Sequence, residues 1–397
     1  MLPIELLAPA GDFSCVETAL YFGADAVYFG GPGLQLRAAK TGFTLAELER
    51  AVDYIHMQGK KAYITVNAFA KNAEISYAGD YAAYLHACGV DALIVSDPGV
   101  LAAVKKAVPE LAVHISTQAN CTNYMSARTY HSLGASRIVL ARELTLEEIA
   151  EIRAKTPDTL ELECFVHGAM CMAYSGRCMI SSFLTGRSGN RGACTQPCRW
   201  EYTLMEQTRP GEYFPIYEDE KGSAILSSHD LCCIEFLDQL RAAGVSSFKI
   251  EGRMKSNYYV AGVVDAYRRA IDGTVSLSAC RRALDDITHR PYSDGFYFGT
   301  EKLSHTNDGQ YHASCTFVAE VLDYTDGMAT VRQRNHFALG QTLEILSPQS
   351  FGLSFPVTSI TDENGLFQET APHPMQILRI PCPHPLQPGD FLKRREL

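Results

Sequence analysis

The sequence carries no HExxH and no GxSxG, and no cysteine–histidine nucleophile arrangement stands out. A helix-borne zinc hydrolase and a serine nucleophile elbow are therefore not expected. Paired C-x2-C motifs, the usual mark of a structural zinc site, are absent too. No GxGxxG follows the first apolar run, and Gly30-Gly31-Pro32-Gly33 after the second lacks the dinucleotide-binding spacing. Positive charge is in short supply: 35 Lys and Arg stand against 45 Asp and Glu, for a net charge of −10. Such a charge balance disfavours non-specific nucleic-acid binding, so any RNA contact needs a local basic patch. The opening residues MLPIELLAPAGDF hold Glu5 and Asp12 within their apolar stretch, without the basic start and long apolar core of an export signal. No apolar run reaches membrane-spanning length. These features predict a cytoplasmic protein without a membrane partner.

What is present begins with 397 residues, 46% hydrophobic and 20% charged, an ordinary globular profile large enough for one big domain and a smaller one. Short apolar runs alternate with longer amphipathic segments, the pattern of repeated βα units around a parallel sheet. Eight such runs are found: Ile4–Ala8, Ala26–Phe29, Ala62–Asn67, Ala92–Val95, Val113–Ser116, Ile138–Leu140, Leu160–Val166 and Ser247–Ile250. Glycine-containing turns such as Gly23-Ala24-Asp25 and Gly134-Ala135-Ser136 precede several of them, where a helix ends and a strand begins. Eight strands point to an α/β fold, a (β/α)8 TIM-like barrel, in preference to an open sheet.

About 80 residues separate the seventh run from the eighth, too many for one helix and two loops, so an insertion sits there. Loops after strands form the catalytic face of a barrel, which puts this insertion where chemistry is expected. It includes Tyr202–Ala224, with hairpin-like turns at Arg209-Pro210-Gly211 and Asp219-Glu220-Lys221-Gly222. Beyond the eighth run, Ser256 can cap a helix that stops at Gly273. From about Tyr311 the pattern changes to short alternating stretches, as in Phe317–Val321 and Met328–Val331, which predicts a small antiparallel β-barrel. The expected division is a barrel over 1–275 with a cysteine-rich insertion at about 167–233, a connector over 276–304 and the small domain over 305–397.

Seven of the thirteen cysteines fall between Cys164 and Cys233. In a reduced compartment, grouped cysteines point to metal or redox use. Cys15, Cys88, Cys121, Cys280, Cys315 and Cys382 lie apart and read as small buried hydrophobes. The run from Glu163 to Ser181, the later NRGACTQPCR and the KIEGRMKS at Lys249–Ser256 resemble the U32 peptidase family, and the likeness begins with ELLAPAG near the amino terminus. That family takes its name from collagenase-like protease activity. Several of its members are iron–sulfur proteins that hydroxylate RNA bases or quinone precursors. The phrase CMAYSGRC and the carboxy-terminal extension are similar to the branch that makes 5-hydroxyuridine at the tRNA wobble position using prephenate.

The resemblance implies a 4Fe-4S cluster, with zinc as the alternative, prephenate as an anionic co-substrate and tRNA as partner. Assembly as a homo-oligomer or with a related family member stays open. Soft thiolates suit an iron–sulfur cluster or zinc. A straight helix from Cys171 to Cys178 would hold the two about 10.5 Å apart along its axis. That is too far for one compact cluster, so a loop is expected there. The preferred ligands are Cys171, Cys178, Cys194 and Cys232, with Cys198 or Cys233 as substitutes.

Other candidates surround this segment. Glu251-Gly252-Arg253-Met254-Lys255 leads into a helix amino terminus, where Arg253 and Lys255 suit an anion, although each also fits a solvated loop. Arg191 and Arg199 flank Cys194 and Cys198 and either extend a basic patch or order the loop. His167, just past the seventh run, can serve as acid–base or ligand, or can be a satisfied structural histidine. Glu163 and Glu5 are placed to line the interior, and Asn67, Gln118 and Asn120 sit at strand ends that normally face a substrate. Three functions remain in view: an oxidative tRNA-modifying enzyme, a peptidase of unfamiliar catalytic type, and a metal-stabilised RNA-binding adaptor docking through its small β-domain.

Overall fold

The computed structural model describes residues 3–36, 42–171, 173–200, 203–205, 213–215, 229–299 and 311–396. Strands and helices alternate as β1 (Glu5–Pro9), α1 (Phe13–Tyr21), β2 (Ala26–Phe29), α2 (Leu45–Met57), β3 (Lys61–Val66), α3 (Asn72–Ala87), β4 (Ala92–Val95), α4 (Pro98–Ala107), β5 (Ala112–Ile115), α5 (Tyr124–Ser132), β6 (Arg137–Val139), α6 (Leu146–Ala154) and β7 (Glu161–Ala169). The inserted segment holds α7 (Ile180–Thr185), the paired β8 (Thr203–Met205) and β9 (Tyr213–Pro215), and β10 (Asp230–Cys232). The turn residues expected in this hairpin lie outside the described residues. α8 (Leu237–Ala242) then leads to β11 (Ser247–Ile250), followed by α9 (Asn257–Asp272), α10 (Leu277–Leu284) and β12 (Tyr292–Ser293).

Strands β1 to β7 and β11 run parallel, and β11 pairs with both β1 and β7, so eight strands close into a barrel. This is the expected α/β barrel. Helix starts are set by local chemistry. Thr44 with Glu47 and Thr145 with Glu148 form reciprocal capping boxes, and Asp97 accepts the first free N–H groups of α4. β7 outruns the barrel, and its end at His167–Ala169 takes β10 antiparallel. No helix among the described residues is long and apolar enough to cross a membrane.

The barrel interior is partly ionic. Arg137 on β6 donates to Glu5 on β1 at 2.5 Å and to Glu163 on β7 at 2.9 Å, while Tyr63 on β3 donates to Glu5 at 2.7 Å and Ser247 on β11 donates to it at 2.8 Å. The Arg137–Glu5 and Tyr63–Glu5 bonds join non-adjacent strands and so span the interior, while the other two tie neighbouring strands. Burial alone would push Glu5 up, but the charge of Arg137 and the three donors hold its carboxyl below the usual glutamate range.

The chain divides into two compact units: 1–16, 24–255 and 289–311 in one, and 17–23, 256–288 and 312–397 in the other. In the second unit Ser256 caps α9 through the Tyr259 N–H, and Gly273 ends that helix. A seven-stranded antiparallel sheet, built largely from Cys315–Thr325, Met328–Gln333, Ile377–Pro381 and Phe391–Arg395, forms a half-barrel over its own apolar core of Val318, Val331, Leu343, Phe355, Leu378 and Leu392.

Candidate functional site

A cavity of about 210 Å³ opens over the carboxyl ends of the barrel strands, where parallel barrels place their chemistry. This is far more space than one buried water needs, so it admits a small molecule. Its floor is made by Tyr28, Thr65, Ile94, Val139 and Lys249, which end or nearly end their strands, and by Phe165, which pairs with Lys249 before β7 runs on. Just beyond the strand ends, Asn67, Ser116, Arg142, Glu251 and Arg253 also line it.

Three cations, Lys249, Arg142 and Arg253, line the cavity with one carboxylate, Glu251. Lys249 Nζ donates to Glu163 Oε1 at 2.8 Å and sits 4.3 Å from the centre of the Tyr28 ring. Burial pulls the Lys249 ammonium below the usual lysine range, and Glu163 opposes that fall. Arg142 donates to Glu251 at 3.2 Å and to the Ala169 carbonyl at 3.1 Å, with its guanidinium over Phe165. Arg253, buried, donates to Gln35 at 3.0 Å and Thr65 at 2.8 Å. The space beside Gly30 explains that residue: a Cβ there would stand 1.8 Å from Gln35 Oε1. A side chain would expel the glutamine that orients Arg253.

The cysteine segment covers this floor. Cys171, Cys178, Cys194 and Cys198 all line the same cavity. The described residues between 171 and 178 contain no helix, in keeping with the loop that cluster geometry asks for. Gly176, at φ +73°, makes the bend, and a Cβ on it would meet the Gln118 carbonyl oxygen at 2.1 Å. Glu143 fixes the loop by accepting from the Ser175 N–H at 2.8 Å. Ser181 Oγ donates to the Arg187 carbonyl at 2.7 Å and accepts from the Thr195 N–H at 3.1 Å, tying α7 to the stretch carrying Cys194. Asn190 donates to the Cys178 carbonyl at 3.0 Å, and the Gln196 N–H donates to Cys194 Sγ at 3.4 Å. Four cysteines line one cavity, and thiolates are the soft donors that an iron–sulfur cluster or zinc takes, although no three of these sulfurs lie within 4.8 Å of one another.

The residues expected from sequence divide into two groups. Cys171, Cys178, Cys194, Asn67, Gln118 and Arg253 line the cavity. Cys232 does not; it lies buried in β10 opposite His167, and Cys198 lines the cavity instead. His167 is buried off the cavity with its ring against Tyr292. Glu163 lies beneath the floor, its oxygens taken by Arg137, Ser247 and Lys249. Lys255 packs over the Tyr311 ring, and Arg191 binds Glu74 at 2.8 Å and the Phe69 carbonyl at 2.6 Å, which orders the loop. The Arg199 side chain falls outside the described residues. Sequence reasoning missed Arg142 and Lys249. A lysine inside an apolar strand and an arginine just past a strand end were the available signals.

Two other cysteine environments differ from this one. Burial pushes the Cys164 thiol up to about 12, which suits a packed thiol and not a ligand. In the second unit, potential ligand atoms of Asp286, Cys315 and Glu344 lie within 4.8 Å of one another. Lys393 and Arg395 already bind Asp286, and Arg395 binds Glu344 at 2.8 Å, so this is a salt-bridge node.

Comparison with known proteins follows the same outline. Residues 11–307 match Peptidase family U32, and residues 313–393 match the Peptidase family U32 C-terminal domain. The chain is 36% identical over 401 residues to tRNA hydroxylation protein P1 of Bacillus subtilis, covering 98% of this chain and 94% of that one. It is 35% identical to tRNA hydroxylation protein P of Escherichia coli, covering 98% and 95%. It is 38% identical to the 23S rRNA 5-hydroxycytidine C2501 synthase of Escherichia coli, covering 68% of this chain and 40% of that one. With a cysteine-roofed barrel mouth and matches along nearly its whole length, the chain belongs to peptidase family U32.

Proposed function

We propose that this chain hydroxylates tRNA, forming 5-hydroxyuridine at the wobble position, with an iron–sulfur cluster held by Cys171, Cys178, Cys194 and Cys198 and with prephenate as co-substrate. The observation that carries the reading is that four cysteines, from separate parts of the insertion, line one cavity that Lys249, Arg142 and Arg253 also line. A cluster bound there would supply one-electron redox chemistry. The near full-length likeness to proteins named for tRNA hydroxylation supports the substrate class.

The chain's own residues do the rest. Lys249, Arg142 and Arg253 outnumber Glu251 and bind the carboxylates of the co-substrate, each charge-assisted bond gaining strength from the enclosed setting. Gln35 and Thr65 orient Arg253, and Glu163 orients Lys249. Lys249, its ammonium acidified by burial, can also give up a proton to the bound molecule at Nζ.

The test is complementation. A host lacking its own tRNA hydroxylation genes should regain hydroxylated wobble uridine when it expresses this chain, and Cys194→Ala should abolish the gain. Protein purified without oxygen should be brown and contain iron. Unchanged tRNA nucleosides, or a colourless protein with stoichiometric zinc, would reject the reading. Digestion of gelatin by the triple Cys171, Cys178 and Cys194 to Ala variant would favour a peptidase.

A further inference from the structure

We propose that the outer side of the cysteine segment is the surface on which an unpaired RNA loop docks, with Tyr174 and Phe183 as stacking faces and Arg177 and Arg187 as phosphate contacts. This rests on the tRNA-hydroxylase reading and names where that site's partner binds. Charge is the first reason. The chain as a whole carries −10, yet from Phe165 to Trp200 it has no Asp, no Glu and four Arg, which makes this the local basic stretch that RNA contact needs. Arg177 and Arg187 are exposed and form no ion pair among the described residues, whereas Arg191 is held by Glu74.

Exposed ring surface is the second reason. Ser181 turns inward to bond Thr195 and the Arg187 carbonyl, and that orientation of α7 leaves Phe183 81% exposed. Tyr174 is 61% exposed, and Met179, Leu184 and Trp200 on the same segment are exposed as well. Soluble chains seldom spend large apolar side chains on solvent at this density without a partner. Continuity with the site is the third. Tyr174 lines the cavity bounded by Cys171 and Cys178, so its exposed ring stands at the mouth. A base that is to be modified must leave its stack, and aromatic faces beside guanidinium groups are how single-stranded RNA is held. A protein partner would account for the apolar surface but not for a stretch stripped of carboxylates, and a duplex would leave the rings unused.

Fluorescence anisotropy with the full-length protein tests this, using an anticodon stem-loop RNA and a duplex RNA of equal length. The stem-loop should bind more tightly than the duplex. Phe183→Ala and Tyr174→Ala should each weaken stem-loop binding roughly 5- to 100-fold, with Phe183→Trp retaining it. The Arg177→Gln, Arg187→Gln double variant should make the salt dependence shallower by about 1.4 in log–log slope. Stem-loop affinity unchanged in all variants, or lost equally for the duplex, overturns the proposal. A shift in oligomeric state on Phe183→Ala at constant RNA affinity assigns the face to a protein partner and overturns it too. If the wild type restores hydroxyuridine and every surface variant does so equally, the surface is wrong and the enzyme reading stands. If stem-loop binding behaves as expected but no hydroxyuridine forms, the enzyme reading is wrong.

Discussion

Lys249 and Glu163 form a buried ion pair at 2.8 Å on neighbouring strands of the barrel, and Arg137 takes the other oxygen of the same carboxylate at 2.9 Å. The floor of the candidate site is thereby tied to the ionic core beneath it. A change in either is felt by both.

Glu163→Gln keeps the shape and removes the charge, leaving two buried cations short of a partner. Loss of one member of a buried pair costs about 3–5 kcal/mol. Urea unfolding should report a loss of that order, and adding Lys249→Met should recover part of it. Additive losses in the double variant would show that the two residues are not coupled.

Glu5 has its folded-state pKa depressed below the ordinary value of 4.5. The stability it contributes is therefore complete above that value and disappears as pH falls through the folded-state pKa. Melting temperature followed downward from neutral pH should drop more steeply in the wild type than in Glu5→Gln. Parallel curves would mean that the Arg137–Glu5 contact does not contribute.

The ligand set makes a divided expectation. Cys198→Ala should lose iron and visible absorption, because Cys198 lines the cavity. Cys232→Ala should keep both, because Cys232 is buried in β10 away from it. The opposite pattern in iron analysis would restore Cys232 as the fourth ligand.

Gly176→Ala combines a strained φ with a backbone clash against Gln118. Strain of this kind costs about 1–3 kcal/mol, and relief requires the loop carrying Cys178 to move. The expected result is poor cluster loading in a protein whose barrel still melts cooperatively. Full iron content in this variant would show that the loop tolerates the shift.

Arg253→Lys retains charge but cannot bridge Gln35 and Thr65 in the same way. The KM for prephenate should rise about tenfold or more, with a smaller effect on kcat. An unchanged KM would place the anion elsewhere.

The barrel was legible in the sequence because its signal is local. Ser247–Ile250, Ala26–Phe29 and Ala92–Val95 are strands at the very residues where apolar runs end in turns, and Ser256 and Gly273 bound α9 as caps do. The cysteine segment was legible as chemistry for the same reason: its residue types are grouped. Which of Cys198 and Cys232 lines the cavity was not, because that depends on β7 outrunning the barrel and capturing β10, a long-range pairing that sets Cys232 opposite His167. Arg142 and Lys249 escaped notice because a charged residue in or beside a strand becomes part of a site only when the barrel closes and points it inward. Residue type and spacing thus determined the barrel and the presence of a thiol-rich mouth. Strand pairing across long sequence separations alone decided which side chains meet there, since proximity in a closed sheet is set by register and not by order along the chain.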